Sequence, residues 1–153
     1  MLTLALSACS GGSTAGGQTL VFTGLAGEPD SLNPLVSTST DLYNLSHLYM
    51  SLLVESDARG RLVPEIASAV PTMQNGGISP DGRTIVYHLR RNVRWQDGVA
   101  LTARDVLFSY RAAIDPRNNV PTRVGYTDVF SVSAPDAYTV VVRMRRPFSP
   151  SDR

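Results

Sequence analysis

Side chains that could carry covalent or metal chemistry are few in this sequence: one cysteine, Cys9, and two histidines, His47 and His88. Neither histidine stands at ligand spacing from a second histidine, a cysteine or a carboxylate, so the pattern gives no metal site and implies no cofactor. There is no Gly-rich phosphate loop, nucleophile elbow or Cys/His pair. What remains is chemistry of contact rather than of bond making. Glu28, with Gly27 and Pro29 beside it, directly follows an apolar, β-branched run, and loops at strand ends commonly line clefts. Two readings of Glu28 stay open: a ligand contact, or a surface carboxylate capping a turn. Trp95 has the side chain of a binding site, but tryptophan is highly buried on average, and packing is the reading taken here.

The elements that would hold these residues follow from punctuation and period. "TLVFTGLAG" (19–27) reads as a first strand, and "GEPDSLNPLVSTST" as a loop. Asp41 is placed to cap a helix carrying Leu42, Leu45, Leu48, Tyr49, Leu52 and Leu53. "LVPEIASAVP" predicts a short strand and a helical turn. Pro80 and Gly82 suit the second and last positions of a turn, feeding a strand in which Ile85, Tyr87 and Leu89 face one way. Asp97-Gly98 marks another turn. "TARD" (102–105) has capping-box spacing and opens a helix with a stripe of Ala103, Val106, Leu107, Tyr110 and Ile114. Asp115-Pro116 ends it. Strands over 128–133 and 138–145, joined by "APDA", complete an α+β pattern, with Tyr138, Val140, Val142 and Met144 on one face.

Bulk properties exclude other classes. Fourteen basic against thirteen acidic residues give a net charge of +1, which argues against a nucleic-acid partner; that every basic residue is arginine is not read as a functional device. Apolar residues at 42% and charged residues at 18% indicate a globular chain. A lone cysteine precludes an internal disulfide. "MLTLALSAC" is a short apolar run ending in small residues, as in a secretory signal. Leu6-Ser7-Ala8-Cys9 resembles a bacterial lipobox, in which Cys9 is lipidated, and a Gly/Ser linker follows. No Arg or Lys precedes the run, so either the true start lies upstream or export is in question.

In order along the chain, four segments resemble family 5 of the bacterial extracellular solute-binding proteins, the oligopeptide and dipeptide receptors of ABC importers. They are "GEPDSLNPLVSTST", "LYMSLLVESDARGRLVPEIASAV", "SPDGRTIVYHLRRNVRWQDGVALTARDVLFSYRAAIDP" and "VSAPDAYTVVVRMRRPFSP", spanning about residues 20–150. The resemblance implies the N-terminal part of a type II, two-lobed periplasmic-binding-protein fold. Residues 1–9 would be the lipoprotein signal segment and 10–18 the linker. Residues 19–40 would be the first strand and ligand-facing loop of lobe I, and 41–153 its inserted subdomain. The second lobe would be missing, leaving the first strand without sheet partners.

The same resemblance implies a monomeric receptor outside the membrane, periplasmic or anchored through Cys9, with no enzymatic activity. It would capture a peptide by hinge closure and deliver it to ABC permease and ATPase subunits. Gly27, Glu28, Pro29 and Tyr126 are the ligand-facing positions it implies. A nickel chelate, oligosaccharide or opine could replace the peptide, since function lives in the site. Outside the family, an envelope hydrolase lacks a His-based constellation, and a structural lipoprotein domain remains as a rival.

Overall fold

The computed structural model describes residues 27–148; the predicted signal segment, the linker and residues 19–26 of the predicted first strand lie outside them. The order is α1 (Thr40–Ser46), β1 (Val54–Ser56), β2 (Leu62–Pro64), β3 (Thr84–His88), α2 (Ala103–Ile114), a 3-10 turn (Tyr126–Asp128), β4 (Val129–Asp136) and β5 (Thr139–Met144). β1 and β2 form an antiparallel hairpin, and a second antiparallel sheet has the order β3-β5-β4. The arrangement is α+β.

Period-2 alternation does what it predicts in β3 and β5. Ile85 and Leu89 are buried while His88 and Arg90 face out. Val140 on β5 is fully covered, and the core gathers Ile66, Leu89, Leu101 and Ala103 around it, with Val106 from α2 packed against the group. The predicted turn forms: Pro80 sits second, and Gly82 donates to the Ser79 carbonyl at 2.8 Å with φ of 66°. At the start of α2 the Asp105 carboxylate accepts from both the backbone N–H (2.7 Å) and the hydroxyl (3.0 Å) of Thr102. Ala103 approaches the β4–β5 turn closely, donating its N–H to the Ala137 carbonyl at 2.8 Å. A larger residue there would push the helix off the sheet.

Several expectations need correction. α1 is only seven residues long and Ser39, not Asp41, is its N-cap, accepting from the Leu42 N–H. Leu52 and Leu53 are not helical but lead into β1. Their carbonyls accept from Ile66 and Ala67, and the Leu52 N–H reaches the Glu65 carboxylate at 2.6 Å. A turn at 57–60 sets this pairing: Asp57 accepts from the N–H groups of Arg59 and Arg61, and Gly60 takes φ of 74°. Cross-strand pairing thus outcompetes a helical period that local sequence alone favours. The predicted helical turn after β2 is absent too: the segment bends around a single bridge, in which Ala67 pairs with Leu89 and Ser68 donates to the His88 carbonyl.

On α2, Ile114 is exposed and Ala113 takes its place in the buried stripe. β4 runs on through "APD" to Asp136, leaving a two-residue turn before β5. Pro135 is tolerated there because β4 is an edge strand.

Leu89 touches the centre of this core, so Leu89→Ala should cost about 2–5 kcal/mol. Urea unfolding followed by circular dichroism measures it, and a loss below about 1 kcal/mol would place Leu89 outside the cooperative core.

Candidate functional site

Two loops that are distant in sequence face each other at the end of α2. The first is a run of short-range polar turns. Asn33 accepts from the Leu35 N–H through its side chain and from the Val36 N–H through its carbonyl, with Pro34 in the second position. Ser37 donates to Asp30 at 2.7 Å and accepts from the Ser39 N–H. The Tyr49 hydroxyl ties this loop to the body of the protein by donating to the Leu32 carbonyl at 2.7 Å.

The second loop leaves the C-terminus of α2. Asp115 folds back on Arg117, accepting its backbone N–H at 2.9 Å and its guanidinium at 2.6 Å. Asn118 donates from its side chain to the Ala112 carbonyl. Gly125, with φ of 85°, turns the chain into the single helical turn that carries Tyr126, whose ring lies 6.2 Å from that of Tyr110. Between the loops is a recess of about 190 Å3. Pro34, Leu35, Ser37 and Thr38 line one side of it, and Val120, Pro121, Thr122 and Tyr126 the other.

No ionisable carboxylate, amine or imidazole lines this recess. Its chemistry is three aliphatic hydroxyls, one phenol and apolar rims, which suits hydrogen bonding to an uncharged polar stretch of ligand. Of the predicted ligand-facing residues, Tyr126 lines it. Gly27, Glu28 and Pro29 do not: they sit upstream in the same loop, with Gly27 and Glu28 exposed and Pro29 half-buried. Thr38 and Thr122 were not singled out from sequence; the only local signal is that each lies beside a Pro-containing polar turn.

Trp95 corrects a packing expectation. It is 45% exposed and stands on a tight hairpin. Its N–H donates to Val99 and its carbonyl accepts from Gly98, with Asp97 accepting from the Val99 N–H. The indole borders an apolar groove of about 320 Å3 with Tyr49, Met50 and Leu52, apart from the recess at Tyr126. His47 donates to the Tyr43 carbonyl and lies 3.6 Å from Glu55. His88 contacts the Thr139 hydroxyl at 3.5 Å. Among the described residues no three His, Cys, Asp or Glu side chains come together as metal ligands, and no helix is long and apolar enough to cross a membrane.

The comparisons with known proteins agree in family and in fold. A family model described as bacterial extracellular solute-binding proteins, family 5 Middle, matches residues 61–152. Protein XP55 of Streptomyces lividans is 36% identical over 139 residues, covering 91% of this chain and 24% of that protein. Haemophilus influenzae OppA in complex with RPPGFSPFR superposes with a TM-score of 0.71 at 28% identity, covering 79% of this chain and 26% of that one. NikZ from Campylobacter jejuni in complex with Ni(L-His) gives 0.67 at 30% identity, covering 80% and 23%. The chain spans about a quarter of the length of these relatives.

Asp115 anchors the second loop, and its carboxyl is held at about 2, down from the ordinary 3.8. The Arg117 guanidinium is the main cause, followed by the Arg117 N–H. Its support of the loop is therefore complete above the ordinary value and disappears as the pH falls through about 2. Carboxyl NMR titration should give that low midpoint, and Arg117→Gln should move it up towards 3.8. An unmoved midpoint would remove Arg117 as the cause.

Proposed function

The chain belongs to the bacterial extracellular solute-binding proteins of family 5, and from that membership we propose that it forms part of a peptide receptor serving an ABC importer. In this reading the recess between the two loops is one wall of the ligand cleft. A second lobe supplies the other wall, and closure around the peptide presents the loaded receptor to permease and ATPase subunits. Residues 19–40 serve as the first strand and ligand-facing loop of lobe I, and 41–153 belong to its inserted subdomain. Cys9 carries the lipid that keeps the receptor at the outer face of the membrane. The protein binds and releases without chemistry.

The observation that carries the reading is the uncharged, hydroxyl-bearing recess at Tyr126. A peptide offers a backbone C=O at every residue and an N–H at every residue but proline, and the hydroxyls of Thr38, Thr122 and Tyr126 can pair with these whatever the side chains are, Ser37 being held by Asp30 and the Ser39 N–H. Affinity of that kind is largely independent of peptide sequence, as in strand addition. The relative with a nonapeptide bound, H. influenzae OppA, supports the same reading. Gly27, Glu28 and Pro29 stand upstream in the same loop, and in this reading an extended ligand passes the exposed carboxylate of Glu28. A second reading, a small metal chelate as cargo, is favoured by the likeness to NikZ with Ni(L-His).

Isothermal titration of the receptor with a mixed tri- to nonapeptide pool and, separately, with Ni(L-His) discriminates the two. Peptide binding near or below 1 μM, about −8 kcal/mol, is expected. Tyr126→Ala should weaken it by about tenfold, or about 1.4 kcal/mol. Heat from Ni(L-His) alone, with none from the peptide pool, would replace the peptide reading with the chelate one.

A further inference from the structure

Arg123 lies between Thr122 and Tyr126 in the recess wall, but its side chain turns back to the helix that the loop has left. Nε donates to the Ala113 carbonyl at 3.1 Å, and Nη2 donates to the carbonyls of Asp115 at 3.0 Å and Asn118 at 2.9 Å. We propose that Arg123 is the positioning residue of the ligand-facing wall: one guanidinium gathers three carbonyls and so fixes where Pro121, Thr122 and Tyr126 stand. The proposal rests on the reading of the recess as a ligand site.

The physical case has three parts. Helix C-termini leave carbonyls without intrahelical partners, and a cation there also meets the negative end of the helix dipole. Arg123 meets both needs from ten residues downstream of Ala113. Second, the main-chain bonds inside the loop are short-range: Asn118 N–H to Asp115, Val120 N–H to Asn118 and Tyr126 N–H to Arg123, with the Val124 N–H on the Thr122 hydroxyl. Bonds of that kind shape turns but do not fasten the segment to α2; the Asn118 side chain ties the start of the loop to Ala112, and the Arg123 guanidinium ties the part that carries the recess wall. Third, the bonds to Ala113 and Asp115 are partly buried, the one to Asn118 exposed, and in a partly buried setting a hydrogen bond from a charged donor is stronger than at the surface. The planar fork matters because an ammonium on the same stem would not hold carbonyls spread along the chain in this geometry.

Arg90 supplies an internal comparison. It too donates to two carbonyls, those of Ala67 and Pro64, but it lines no part of the recess. The test uses the receptor with wild-type sequence, Arg123→Ala, Arg123→Lys and Arg90→Ala. Amide hydrogen exchange over residues 117–126 and Kd for the peptide pool are read on each. Both Arg123 variants should raise exchange in that segment, and Kd, by about tenfold, with β3 and β5 still protected. Arg90→Ala should leave Kd unchanged. Wild-type exchange and Kd in Arg123→Lys would overturn the clamp, because charge alone would then suffice. A rise in Kd of equal size in Arg90→Ala would also overturn it, by showing a general loss of structure. If the wild-type receptor binds no peptide, the peptide reading falls separately, and the exchange arm still decides whether Arg123 orders the wall.

Discussion

The structure turns on strand β5. Both of its edges are paired, to β3 on one side and β4 on the other, and Val140 at its centre has no exposure to solvent. A shift of one residue in its register would carry Val140 and Val142 to the outer face and bring Val141 and Arg143 inward. The charge of Arg143 would then be buried without a partner, which is far costlier than the loss of one apolar contact. The register is therefore fixed by the alternation itself. Everything packed on that face, including α2, inherits its position from it.

α2 transmits that position to the candidate site. Its first turn is held by Thr102 and Asp105 and by the close approach of Ala103 to the β4–β5 turn. Its last turn and C-cap hand the carbonyls of Ala112, Ala113 and Asp115 to the side chains of Asn118 and Arg123. A helix fixed at both ends behaves as a rigid strut, so the loop at its C-terminus can be ordered without a sheet of its own. The loop of residues 27–38 is ordered differently, by Asx and Ser turns and by the Tyr49 hydroxyl. The recess is thus assembled from one loop borrowed from a helix end and one loop that largely holds itself.

Such a wall suits a binding protein of this family. A surface without ionised groups has little to desolvate when a ligand arrives, and the hydroxyls of Thr38, Thr122 and Tyr126 can donate to it. Selectivity must then come from shape, from charged groups elsewhere, or from the way two lobes close. The likeness of this chain both to a peptide-bound OppA and to a nickel-chelate-bound NikZ fits a scaffold whose cargo is set by the site rather than by the fold.

The amino-acid order by itself determined the features that a few neighbouring residues can encode. These are the turn at Pro80 and Gly82, the carboxylate cap of α2, the inward set of β3 and β5, and the α+β class. Their energies are local, so a short window of sequence contains the whole argument. Tertiary structure alone decided the features that rest on distant partners. Leu52 and Leu53 left a helical period to pair with residues 65–67, and Trp95, on a short hairpin, stayed half in solvent. Thr38 came to face Thr122 only because β5 and α2 fix where the second loop leaves the core. Contacts between segments so far apart in the chain depend on the packing of everything between them, and no spacing within either segment records that.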